Sequence, residues 1–156
     1  AQISGRMTVR ELDLHERLQA LLFIDMPAPC TPNSDDELQV ARGVLLGLTY
    51  PQEALILPQP GYSFLQILTP RGIWHASTGD IEHGQPLCLG VQISSAIPVT
   101  ELVLMAYGAL SMQSMQIDER EHAGVLNAEA ARWWQQNRHL APLTAEPFIR
   151  PIGEKS

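Results

Sequence analysis

Between Thr8 and Phe23, apolar Val9, Leu12, Leu14, Leu18, Leu21 and Leu22 recur at roughly helical spacing, which predicts an N-terminal amphipathic helix. MPAPCTPNSDDE follows with three prolines and a polar cluster, so a loop or extended connector is expected there. LQVARGVLLGLTYP is apolar and fits strand and helix templates equally. ALILPQPGYSFLQILTP reads as strands interrupted at Pro58 and Pro60. RGIWHASTGDIEHGQPLCLGV is polar, punctuated by glycine and without a period, hence a long irregular segment. Such segments inside a compact domain are uncommon and often carry function.

After Pro98 the pattern turns helical, with Val99, Leu102, Val103, Ala106, Ala109 and Leu110 marking one buried face. Thr100 and Glu101 suit the free N–H groups and positive dipole end of its first turn. SMQSMQIDEREHAGV is a polar connector with an acidic cluster. Asn127 is a good N-cap for AEAARWWQQN, with Glu129 in the first turn and Asn137 near the stop. Three prolines in the last stretch, LAPLTAEPFIRPIGEKS, predict an extended tail over 141–156. The sum is an α+β domain with a small antiparallel sheet, expected to span 7–140. Ala1 to Arg6 read as residues added ahead of a natural start at Met7.

Length and charge narrow the function classes. The 156 residues fit one domain with a real core. A formal net charge of −7 lacks the basic patch that nucleic acid or an anionic membrane requires, so neither is an expected partner. No apolar run approaches the roughly 20 residues of a membrane span. Two cysteines, Cys30 and Cys88, do not make a disulfide framework, and a reducing cytoplasm with free thiols is expected.

A buried free cysteine usually behaves as a small hydrophobe. Cys88, however, ends the irregular segment, in company with His75, Ser77, Asp80, Glu82 and His83. IWHAS (73–77) precedes PLCLGVQI, Pro98 lies ten positions after Cys88, and a helix, an acidic loop and VLNAEAARWW follow. This arrangement resembles the ubiquitin-conjugating enzymes. Their active-site region reads His-Pro-Asn, then Ile-Cys-Leu, then Trp-Ser-Pro opening a helix, with a later Leu-Asn-x-Glu-Ala-Ala segment. From Cys88 to Pro98 the match needs no gap. The first half follows the family only by order of elements: first helix, proline-containing connector, strands. The chain is most similar to the divergent bacterial members encoded beside an activating enzyme and a ubiquitin-like protein in operons linked to phage defence.

The resemblance implies the ubiquitin-conjugating fold and a carrier mechanism. Cys88 would take a ubiquitin-like protein from an activating enzyme as a thioester and pass it to a lysine of a protein target. It implies no cofactor, since ATP is consumed by the activating partner. It also puts His75-Ala76-Ser77 where the family has His-Pro-Asn, so Ser77 replaces the Asn tied to the oxyanion. Either the Ser77 hydroxyl, His83 or a backbone N–H then supplies that donor. Ala96 stands at the family's Trp position. The acid that orients the incoming lysine comes from the loop after the helix, where Asp118 is the expected residue among Asp118, Glu119 and Glu121. His75 has a structural reading too, as a ring that ties the irregular segment together. His75, His83 and Cys88 match no strong zinc spacing, so no metal is expected. The alternatives are a non-catalytic module of the same fold that binds a ubiquitin-like protein, and a cysteine hydrolase with Cys88 activated by His75 or His83.

Overall fold

The computed structural model describes residues 5–32, 37–113, 125–144 and 146–149. Seven strands come first: β1 Met7–Asp13, β2 Leu18–Cys30, β3 Gln39–Tyr50, β4 Gln59–Pro60, β5 Leu65–Thr69, β6 Pro86–Leu87 and β7 Gln92–Ile93. Helices α1 (Val99–Leu110) and α2 (Ala128–Gln136) follow. Five strands form one antiparallel sheet in the order β1-β2-β3-β5-β6, and β4 pairs with β7 alone. The molecule is therefore α+β with a small antiparallel meander, as expected.

The expected N-terminal helix is not there: its residues form β1 and the first half of β2. In β2 the buried positions alternate as Ala20, Leu22, Ile24, Met26 and Ala28, a period of two. Leu21 and Phe23, on the other face, are apolar as well, and they complete an i, i+3, i+4 pattern that mimics a helix. The first five residues of the connector expected over 26–37, Met26 to Cys30, are likewise the end of β2. Pro29 O accepts the Trp74 N–H at 2.7 Å, so that backbone edge faces away from β3, and Pro27, two residues earlier, faces the same way. By then β1 has ended, its register closing with Met7 opposite Ile24. The missing proline N–H groups thus cost no ladder bond.

Between the sheet and α1 lies the main core. Ile24, Met26, Val44, Leu46, Leu48, Leu65 and Ile67 from the strands share one cluster with Leu102, Val103, Ala106, Ala109 and Leu110 from the helix. The buried helix face matches the one read from the sequence, with Tyr107 added and Val99 only partly covered. A second, smaller cluster joins Trp74 to Ala130 and Trp134 of α2. Asn127 caps α2 by accepting the Ala130 N–H at 2.9 Å. Ahead of Met7, Arg6 donates to Asp25 O at 2.9 Å and to Tyr107 Oη at 3.1 Å. Beyond α2 the tail carries no regular strand or longer helix in its described part, yet Phe148 is buried and stacks on Tyr107.

Candidate functional site

The irregular segment is a strap, 72–78, held from several sides. β2 and the residue after it bind its start: the Thr31 N–H donates to Gly72 O and the Trp74 N–H to Pro29 O, at 2.8 and 2.7 Å. Ala76 O accepts the N–H groups of Leu126 and Asn127 at 2.8 and 3.0 Å, which ties the strap to the entry of α2. The Trp134 indole N–H donates to Trp74 O at 2.8 Å. His75 joins it to α1.

The His75 ring is fully buried. Its Nδ1 accepts the Ser77 N–H at 3.0 Å, which fixes the proton on Nε2, and Nε2–H donates to Ala109 O at 2.9 Å. Burial pushes the imidazole down to about 4, against the opposing pull of the Ala109 carbonyl. Both nitrogens are committed to backbone, so the ring fastens the strap to the end of α1 and has no site left for proton transfer.

Beyond His75 the chain makes a narrow excursion and returns. Thr78 bridges Leu87 antiparallel, flanked by Cys88 N–H to Ser77 O and Gly79 N–H to Pro86 O, both 2.8 Å. One backbone bond thus joins Cys88 to Ser77, which stands in the turn that Thr78 N–H closes on His75 O. Gln85 N–H closes the turn on Asp80 O at 2.9 Å. At the tip, the Asp80 carboxylate accepts from the backbone and the ring Nδ1 of His83, at 2.8 and 2.7 Å. Those bonds, the backbone one foremost, lower the Asp80 carboxyl below the usual carboxylate range. His83 is exposed there, in the turn at the far end of the excursion from the Ser77–Cys88 bond. The structure therefore brings Ser77 to Cys88 and leaves His83 at the tip. Asp118 and the acidic cluster around it lie outside the described residues.

Cys88 itself is 6% exposed, and its thiol donates to Gly90 O at 3.2 Å. Among the described residues no histidine or carboxylate reaches the sulfur. The loop after it is set by a close approach: Leu89 N–H donates to Gly61 O at 3.1 Å, and a Cβ on Gly61 would meet Gly90 O at 2.0 Å. Gly90, at φ +132°, has open space where its own side chain would be. Among the described residues no group of three or more His, Cys, Asp and Glu side chains gathers where a metal ion could be held.

Gln85 was not legible as a site residue. Its buried amide accepts from Gly72 N–H and Ile73 N–H, at 3.2 and 3.4 Å, and donates to Ile73 O at 3.1 Å. It braces the start of the strap from inside the excursion, at φ +44°. Its one sequence signal is its place in Gly84-Gln85-Pro86, a turn. Such a signal says nothing of partners twelve or thirteen residues back.

No protein-family model matches the chain, and neither does any curated protein or solved structure. Among the described residues no helix is long and apolar enough to cross a membrane. The class that fold and site define is an α+β domain with a recessed cysteine thiol, paired through the backbone with a strap.

Proposed function

We propose that this chain is a ubiquitin-like-protein conjugating enzyme with a variant of the ubiquitin-conjugating fold, acting in the cytoplasm. The observation that carries the reading is the Cys88–Ser77 backbone bond. It binds the cysteine to IWHAS, the segment that follows the meander, and Pro98 with its helix comes next, in the order the resemblance requires. The chain departs from the family at its start, where β1 and β2 replace a first helix.

In this mechanism the Cys88 thiolate attacks the thioester carbonyl presented by an activating enzyme and becomes the acyl carrier. A lysine amine of the protein target then attacks the new thioester and forms an isopeptide bond. Thiol–thioester exchange proceeds with a minor thiolate fraction and needs no adjacent base. A cysteine hydrolase does need one, and the Cys88 sulfur has no histidine partner among the described residues. Both cysteines are free thiols, which suits a reducing compartment.

The test mixes the protein with an activating enzyme and ubiquitin-like protein from its own gene neighbourhood, plus ATP. An adduct on a non-reducing gel is expected, lost with thiol reductant and with Cys88→Ala. Cys88→Ser is expected to trap a reductant-resistant oxyester. Absence of any Cys88-dependent adduct with those partners refutes the proposal. The near-complete burial of Cys88 favours a second reading, a non-catalytic module of the same fold. Tight binding of the ubiquitin-like protein without acyl transfer would bring that reading forward.

A further inference from the structure

We propose that β1 is a self-association strand: a second copy of this chain adds its own β1 antiparallel to the free edge of the sheet, about a two-fold axis between Arg10 and Glu11. The inference is independent of the conjugating reading. β1 ends the strand order of the five-stranded sheet, so among the described residues one side of it pairs with nothing. Thr8 to Asp13 are all exposed. An edge of that length offers its unpaired N–H and C=O groups to another strand.

The bulge in β1 selects the occupant. Pairing with β2 runs from Met7 to Val9 and again from Glu11 to Asp13, with Arg10 the extra residue. Directly paired residues share a face. Val9 opposite Leu22 and Leu12 opposite Ala20 therefore lie on the core side, since Leu22 and Ala20 are buried there. Thr8 opposite Phe23, Glu11 opposite Leu21 and Asp13 opposite Gln19 lie on the other side. Arg10 joins them, its guanidinium 5.3 Å from the Phe23 ring centroid. The alternation is thus broken once, between Arg10 and Glu11. A regular strand laid on this edge would match faces on one side of the break and mismatch them on the other. β1 inverted on itself carries the same break. With Arg10 opposite Glu11, and in no other register, the faces agree all the way from Thr8 to Asp13.

The side chains agree as well. Val9 meets the partner's Leu12 on either side of the axis; in the single chain they are 50% and 58% exposed. Met7, on the same face, packs against the main core, and these two do not. On the opposite face Arg10 meets the partner's Glu11, twice by symmetry, and Thr8 meets Asp13. Among the described residues neither Arg10 nor Glu11 forms an ion pair within the chain. The edge is therefore complementary in charge to its own inverted copy, although the whole chain carries −7.

The test is sedimentation velocity of the full chain from about 5 to 500 µM, because a strand-edge contact is small and a Kd of about 100 µM is expected. Arg10→Glu and Glu11→Arg each set like charges opposite each other twice, and each is expected to weaken association about tenfold. An equimolar mixture of the two restores both pairs and is expected to form a heterodimer. The double variant Arg10→Glu/Glu11→Arg is expected to dimerise like the parent. Leu55, Ile56 and Leu57 form a competing exposed apolar run, and Ile56→Asp is expected to leave association unchanged. Should Arg10→Glu fail to fold, Leu12→Asp, opposite Val9 across the axis, takes its place with the same expected loss. A parent that stays monomeric throughout overturns the proposal. So does a mixture that associates no better than its components, or association lost in Ile56→Asp and kept in Arg10→Glu.

Discussion

Replacing His75 tests whether the strap is held by a neutral, buried ring. His75→Ala leaves the Ser77 N–H without an acceptor inside the protein, a loss of about 1–3 kcal/mol. The bond to Ala109 O costs about 1 kcal/mol more, because that carbonyl keeps the Met112 N–H. With the void left by the ring, the expected total is about 3–5 kcal/mol, a large share of the roughly 5–15 kcal/mol typical of a domain. The same geometry fixes the sign of a pH effect. Folding depresses the ring from its ordinary 6.5 to about 4, so its stabilising contribution is complete above 6.5 and drains away as pH falls toward 4. Linkage then makes the parent about 2 kcal/mol less stable at about pH 5 than at about pH 7 through this group. Urea unfolding at the two pH values measures both effects. His75→Gln, which cannot titrate, should lose most of that pH-dependent decrement. A His75→Ala loss below about 1 kcal/mol, or an undiminished decrement in His75→Gln, refutes the account.

Gly61→Ala drives a methyl into Gly90 O, and the three atoms nearest the clash are all backbone atoms of Gly90. It is expected to destabilise the fold by about 1–3 kcal/mol and to alter the rate at which iodoacetamide reaches Cys88, read by unfolding and by intact mass. Asn127→Ala removes the α2 cap and should cost about 1 kcal/mol in thermal unfolding, with Cys88 alkylation unchanged.

What the sequence made legible follows from where one residue type admits one conformation. Pro98 ahead of a clean helical period announces α1, and Asn127 ahead of Ala-Glu-Ala-Ala announces α2; both stand where expected. The irregular strap was equally visible, since no period survives from Arg71 to Val91. The first half misled because Leu21, Leu22, Phe23 and Ile24 are apolar on both faces of one strand, which erases the period of two. Pro27 and Pro29 sounded like a break only because a sequence does not show which backbone edge faces a partner. At the site, Cys88 and Ser77 could be singled out as residues, but their pairing could not. It depends on the turn from Asp80 to Gln85, whose closing bonds run between backbone atoms. Gln85 was illegible for the same reason, its partners all being backbone groups of Gly72 and Ile73.

The strap draws its anchors from β2, α1 and α2 separately, so the bonded Ser77 and Cys88 move little without breaking buried bonds. The same rigidity keeps the sulfur recessed, at 6% exposure, which sets a steric condition on any acyl donor. Open space lies over the Gly90 α-carbon, and exposed Tyr62 and Val91 adjoin Gly61 and Gly90 in the chain. Under the conjugating reading, the reacting terminus must reach a sulfur recessed to this depth beside that open space.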